Sequence, residues 1–400
     1  MKRSVYIISV LLVAMPAFAA DWPQWRGPNR DGISKETNWL TQWPAGGPKQ
    51  LWHANVGTGC SAVAVSHGRL FAMGNTNDTD TVVCCDAATG QVLWQYSYAC
   101  PLAPRMFEGG PAATPTVDGE RVYTLSRQGH LFCLETATGK VVWAKHLQND
   151  LAGKMPDWGY TGSPLVLGAA VICDVGATDA ATVALDKLTG NVLWKSGNDA
   201  AGYGSWVPFN FNGRQCLAGF NAFGLVVRAA ATGKELARYR WETPYNGNIA
   251  TPIIAGDKIF ISSGYNKGCA VVQFTGTALT ELWKSNTMRN HFNSSVLWQE
   301  QLYGFDESTL TCVTFATGTT KWKQDGLGKG ALMLAGDKLI VQSETGNLVI
   351  ATAAPVGFKE LARAKVLTGR CWVVPVLANG RLYARNNTGE LVCLDVSNPK

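Results

Sequence analysis

Apolar and polar positions along this chain fall into short alternating runs broken by Gly-containing turns, and Leu131 to Trp143, LFCLETATGKVVW, shows the pattern most clearly. It reads as an apolar strand ending in an acid, a tight turn, and a β-branched strand closed by Trp143. Period-two alternation around such a turn predicts an antiparallel hairpin and not a helix. The unit returns as TVVCCDAATGQVLW and TVALDKLTGNVLW. The acid then falls at Asp86, Glu135 and Asp186, the Gly at Gly90, Gly139 and Gly190, and the Trp at Trp94, Trp143 and Trp194. Two further apolar runs joined by a Gly turn precede each copy, as ATPTV and RVYTL do around Asp118-Gly119, so each unit predicts four strands.

Later copies drift. The fourth keeps Thr232-Gly233 but has Ala237 where Trp is expected, the fifth ends at Trp283, and the sixth has Thr317-Gly318 and Trp322. The seventh, from Ala331, carries a longer Ala-Ala-Pro-Val-Gly loop and ends at Leu361. The eighth starts at Trp372 and stops one strand short at Lys400, while LWHANV, Leu51 to Val56, is a last strand with no unit of its own. The N-terminal strand is therefore expected to complete the final unit and close a ring. Marks at Trp52, Trp94, Trp143, Trp194, Ala237, Trp283, Trp322 and Leu361 lie 39 to 51 residues apart, the repeat of four-stranded propeller blades. The predicted fold is all-β: a single eight-bladed β-propeller domain over 51–400. Residues 20–50, rich in Pro, Gly and Trp and without period, read as an extended arm packing Trp22, Trp25, Trp39 and Trp43 on the outside of the body.

Composition agrees with an all-β chain: 46% hydrophobic, 16% charged, with 43 Gly in 400 residues. At the N-terminus, Lys2 and Arg3 precede an apolar run from Val5 to Val13, and Ala17-Phe18-Ala19 supplies a small-residue cleavage site. Residues 1–19 read as a secretory signal peptide, and the mature protein is expected in the periplasm or outside the cell. The first Cys is Cys60, so no lipid-anchor site follows the leader, and no later segment predicts a membrane span. Without Lys2 and Arg3 the net charge is +4, with no run of five like charges, which points away from nucleic acid. The chain is expected to be a monomer.

Eleven Cys in an exported chain invite disulfides. Cys84, Cys133, Cys312 and Cys393 occupy one position in four repeats and read as small buried hydrophobes. Cys60 and Cys371 fall at neighbouring positions across the ring closure, where a bridge fits the geometry of a closed ring.

The motif DxxTGxxxW, as DAATGQVLW and DKLTGNVLW, resembles the repeat of the pyrroloquinoline quinone (PQQ) type propellers, and the resemblance covers residues 51 to 395. That family includes quinoprotein alcohol dehydrogenases and the non-enzymatic outer-membrane assembly factor BamB. The resemblance implies either a scaffold binding a protein or polymer partner, or a PQQ-dependent, calcium-assisted alcohol or sugar dehydrogenase; carbohydrate binding without turnover is a third reading. Such an enzyme carries a catalytic Asp, a Trp floor and often an adjacent-Cys disulfide over the quinone. Cys84-Cys85 is such a pair, but it lies in a predicted strand where successive side chains face opposite ways.

Between copies of the repeat, the segments leading into each blade carry Glu108, Asp157, Asp199, Glu242 and Asp325, scattered without a calcium motif. They are richer in aromatic, amide and basic side chains: Arg105, Trp158, Tyr160, Tyr203, Trp206, Tyr245, Asn246, Asn248, Arg289, His291, Asn293, Arg370 and Trp372. At one channel mouth these suit a planar anion, a sugar or a peptide, or they simply fill a wide channel. The candidate ligand-binding set is Arg105, Trp158, Tyr160, Trp206, Asn246, Asn248, Arg289, His291, Arg370 and Trp372, with no catalytic or metal residue assigned. His291 has no acid at a recognisable spacing and reads as structural. No GxSxG, HExxH or GxxxxGK motif is present.

Overall fold

The computed structural model describes residues 20–44 and 46–398. The signal-peptide expectation falls on residues outside this range. Alternating runs become eight four-stranded antiparallel sheets in chain order, the first built from Ala64–Ser66, Arg69–Thr76, Thr79–Asp86 and Val92–Ala99. In the eighth, Val376–Ala378, Arg381–Arg385 and Glu390–Asp395 are completed by Lys49–Asn55, which pairs antiparallel with Glu390–Asp395. The expected ring closure is thus observed. The short first strands of neighbouring blades approach one another around the axis. Last strands lie outermost and expose side chains such as Val92, Leu93, Val192 and Leu193. Among the described residues, no helix is long and apolar enough to cross a membrane.

The repeat motif is a device for joining blades. Trp94 of blade 1 lies against Gly139 in the turn of blade 2, where a Cβ would stand 2.5 Å from the indole, and its Nε1 donates to the Thr136 carbonyl at 2.9 Å. Gly139 also has φ 73°, so both the turn and the close approach require glycine. The same ring-on-Gly contact joins Trp52 to Gly90, Trp143 to Gly190, Trp194 to Gly233 and Trp283 to Gly318. Cysteines back four of the tryptophans: Cys84, Cys133, Cys312 and Cys393 stand opposite Trp94, Trp143, Trp322 and Trp52. The turn acids work as expected at Asp86 and Asp186, whose Oδ1 atoms accept from the backbone two and three residues on and from the Thr hydroxyl. Glu135, one methylene longer, takes only the Thr138 hydroxyl.

Two seams lack this tryptophan. At the junction of blades 4 and 5, Phe211 packs edge-on against Phe274 at 4.8 Å in place of the ring missing at Ala237. At the junction of blades 7 and 8, the residue in the tryptophan register is Ala362, opposite Ile350, and not Leu361. Every outer strand carries a bulge just before this position, which displaces the count by one where the sequence has drifted.

The arm is not outside the body, as its composition suggested. Its second half fills the deficient seam: Trp39 is buried there with Trp43 packed alongside, and Leu40 N–H donates at 2.7 Å to Val396 O, just after Asp395 of the last blade. Its first half enters the channel. Trp22 exchanges backbone hydrogen bonds with Val65 of blade 1, Pro23 O accepts from Val117 of blade 2, and Arg30 reaches Val166 O of blade 3. Trp25 donates to Thr251 ahead of blade 5, Arg26 to Ser295 O of blade 6, and Ile33–Ser34 runs parallel to Leu334–Ala335 of blade 7. The sequence has no period here because successive residues serve different blades.

All eleven cysteines are free, Cys60 and Cys371 included, and Cys84 and Cys85 are both buried within a strand. Replacing Trp94 by Ala removes a buried ring and an indole hydrogen bond. The expected loss of stability is about 3–5 kcal/mol, read as a lower urea midpoint with unchanged slope.

Candidate functional site

Strands alternate direction, so the segments leading into each blade and the turns between second and third strands share one face, opposite the Thr-Gly turns. There the structure assembles an aromatic arc. Trp158 contacts Tyr203 at 5.7 Å and Tyr245 at 5.4 Å between ring centroids. Tyr245 meets Tyr265 at 5.9 Å, and Tyr265 stands edge-on to His291 at 4.6 Å. His291 stacks on Phe292, and Phe292 on Trp372, each at 4.0 Å. The Arg370 guanidinium closes the arc 4.6 Å over the Trp372 ring. Tyr203 is buried, Tyr245 is 61% exposed, and the other rings are half-buried. The lead-in to blade 7, Asp325–Gly330, is short, which lets the lead-ins to blades 6 and 8 meet across it; Asn293 Nδ2 donates to Trp372 O at 2.9 Å.

Between His291 and Arg370 the arc is flanked by two sets of paired charges. His291 Nδ1 lies 3.0 Å from Glu307 Oε2 and 2.8 Å from Lys329 Nζ, while Lys329 lies 3.4 Å from Glu307. Nδ1 cannot donate to the carboxylate and accept from the ammonium at once, so the three groups hold alternative proton arrangements. The hydrogen bond from His291 outweighs burial, and with the Lys329 charge it holds the Glu307 carboxyl down at about 2. Arg370 bridges to Glu108 at 3.2 Å, Asn387 also donates to Glu108, and Trp372 Nε1 donates to Glu344 at 3.1 Å.

Of the expected site residues, Trp158, His291, Arg370 and Trp372 come together. His291 does have an acid partner, contrary to its sequence reading: Glu307 sits sixteen residues on, in the turn between the second and third strands of blade 6. Arg105 and Asn246 are exposed on the same face. The remaining four are structural. Tyr160 is buried and donates to Val175 O, and Trp206 covers Gly219 and donates to Asp174 at 2.7 Å. Asn248 is fully buried, with its Nδ2 donating to Asn221 O and Trp241 O. Arg289 forks onto buried Asp306. Phe292, Tyr265, Glu307, Lys329 and Glu344 were missed. Strand parity is the signal that finds three of them, because it returns the second-to-third-strand turns to the lead-in face.

The acids here do not fit a calcium ion. Glu108 is held by Arg370 and Asn387, Asp199 by Arg238, Glu242 by Arg240, and Asp325 accepts from Thr309. Among the described residues, no group of three or more His, Cys, Asp or Glu is placed to hold a metal. Cys84-Cys85 lies near the Thr-Gly turn, at the opposite end of its blade from the arc.

Fold and repeat together define a PQQ-like eight-bladed propeller. The chain belongs to the family whose model, described as outer membrane protein assembly factor BamB, matches residues 43–107 and 102–324. No curated protein matches it in sequence. Among solved structures it is similar to BamB from Moraxella catarrhalis, with TM-score 0.65 and 16% identity over 87% of this chain and 99% of that one. It is also similar to the quinohemoprotein alcohol dehydrogenase from Comamonas testosteroni, with TM-score 0.70 and 14% identity over 95% and 81% of the two chains. A europium-containing methanol dehydrogenase follows the same fold at TM-score 0.56 and 11% identity, over 94% and 89%. Identities this low speak for the fold alone.

Because its folded pKa of about 2 lies below its ordinary 4.5, Glu307 contributes stability that is present above 4.5 and lost as pH falls towards 2. Glu307→Gln is expected to be less stable than the parent by roughly 1–2 kcal/mol at pH 6, after allowance for solvent screening. The gap should close between pH 4.5 and 2 in urea unfolding.

Proposed function

We propose that the mature chain is an exported, non-catalytic propeller whose lead-in face holds a segment of a protein partner against the arc from Trp158 to Trp372. The observation that carries this reading is the continuous run of rings from Trp158 to Trp372, beside which His291, Glu307, Lys329, Arg370 and Glu108 are paired within the chain, so flat ring surface is the main thing left to offer a partner. Half-buried rings held by one another lose little freedom on binding, which favours a rigid docking surface. The channel behind the arc is occupied by the chain's own arm, so a partner lies across the mouth and does not thread through it. Similarity to BamB, in a family described as assembly factors, supports a scaffold. Similarity to quinohemoprotein dehydrogenases supports a PQQ enzyme, but among the described residues no carboxylate set gathers at the mouth for the calcium of that reading.

Two measurements test the reading. Titration of the mature protein with PQQ and calcium is expected to leave no bound quinone and no dye reduction with alcohols or aldoses; bound quinone with turnover overturns the proposal. Peptides selected from a displayed library on the same protein are expected to lose at least about tenfold in affinity, about 1.4 kcal/mol, to Phe292→Ala and to the exposed Tyr245→Ala. Undiminished binding to both variants removes the arc as the docking surface.

A further inference from the structure

Outer strands of a propeller are sheet edges, each presenting a row of unpaired backbone N–H and C=O groups that another chain can pair with. Seven of the eight here carry a basic residue that opposes such pairing: Lys145, Lys195, Arg238, Lys284, Lys323, Arg363 and Lys49 in blades 2 to 8 in turn. The bulge common to all eight does not distinguish them. Blade 1 is the exception. Its outer strand, Val92–Ala99, VLWQYSYA, has eight residues, none of them charged, and is the longest of the outer strands. The neutral stretch extends from Ala87 to Pro104.

One side of this strand is anchored inward. Trp94 is buried, and Tyr96 and Tyr98 pack on Phe132 of blade 2 at 5.1 and 4.8 Å. Val92 and Leu93 are about half exposed, and Gln95, Ser97 and Ala99 are exposed. The edge is therefore stiff, apolar to neutral, and open.

We infer that Val92–Ala99 is a homodimerisation edge, pairing antiparallel with the same strand of a second copy about a two-fold axis. Charge selects the second copy's own blade 1 as the occupant. Against any of the other seven outer strands, this neutral edge would enclose a Lys or Arg in the ladder. Two blades of that kind facing each other would likewise place charged side chains in the ladder, bases in all seven and acids as well in blades 4, 5 and 7. Only the pairing of blade 1 with blade 1 leaves the ladder free of charged side chains. One competent edge per chain also means that association stops at two copies and builds no filament. Eight-residue strands joined this way exchange about eight backbone hydrogen bonds and bury less than a standard interface, so dissociation in the micromolar range is expected.

Sedimentation velocity of the mature protein from about 1 to 300 μM tests this. The expected result is a reversible monomer–dimer equilibrium. Gln95→Lys and Ser97→Lys should each weaken it at least tenfold, while Val192→Lys on blade 3 leaves it unchanged. Hydrogen exchange of the unaltered protein, which does not depend on any variant folding, should show amides of residues 92–99 slowing as concentration rises. A monomer throughout the range overturns the proposal, as does a dimer that persists in Gln95→Lys or one without protection at residues 92–99.

Discussion

The whole ring depends on a tryptophan of one blade lying against a glycine in the next. A twisted four-stranded sheet cannot bury its faces alone, and the contact between Trp94 and Gly139 shows how the repeat solves this. The ring needs space that only a glycine leaves, the indole N–H needs a carbonyl, and the turn that supplies both is held by its own acid and threonine. Stability of such an array is close to a sum over neighbouring pairs. A closed ring adds the demand that no seam be left open. Phe211 meets it at one deficient seam, and the arm residues Trp39, Leu40 and Trp43 meet it at the other.

The arm also settles the shape of the candidate site. By touching the inner strands or lead-ins of seven blades it turns a wide channel into a packed axis, with Arg26 buried there and held by three backbone carbonyls. Burial lowers the Arg26 pKa to about 10, so it remains a cation at neutral pH and its hydrogen bonds are charge-assisted. What the opposite face presents is a shallow mouth whose floor and walls belong to the same chain.

The architecture was legible in the residues because the blade-joining contact uses rare types at fixed spacing. The count of eight and the role of LWHANV both follow from that ruler. It failed by one residue at Ala362, where the tryptophan was gone and a bulge shifted the register. The arm was misplaced because its partners lie on many different blades, and no local pattern records them. The site was half legible: rings in the lead-in segments are conspicuous, but Glu307 and Tyr265 reach the same face through turns that look ordinary in sequence. Asn248 and Trp206 looked like binding groups because buried hydrogen-bonding side chains and ligand contacts draw on the same residue types.

Closure by the N-terminal strand has a consequence for the order of assembly. Lys49 and its partner Asp395 lie at opposite ends of the chain, so the contact that seals the ring has nearly the largest loop closure this sequence allows. A chain delivered from its N-terminus presents the arm and Lys49–Asn55 first, yet their final partners arrive last. Until then the arm's tryptophans and an unpaired strand remain in solvent. The early part of this protein is thus the part most in need of protection from aggregation while the remainder is still being made.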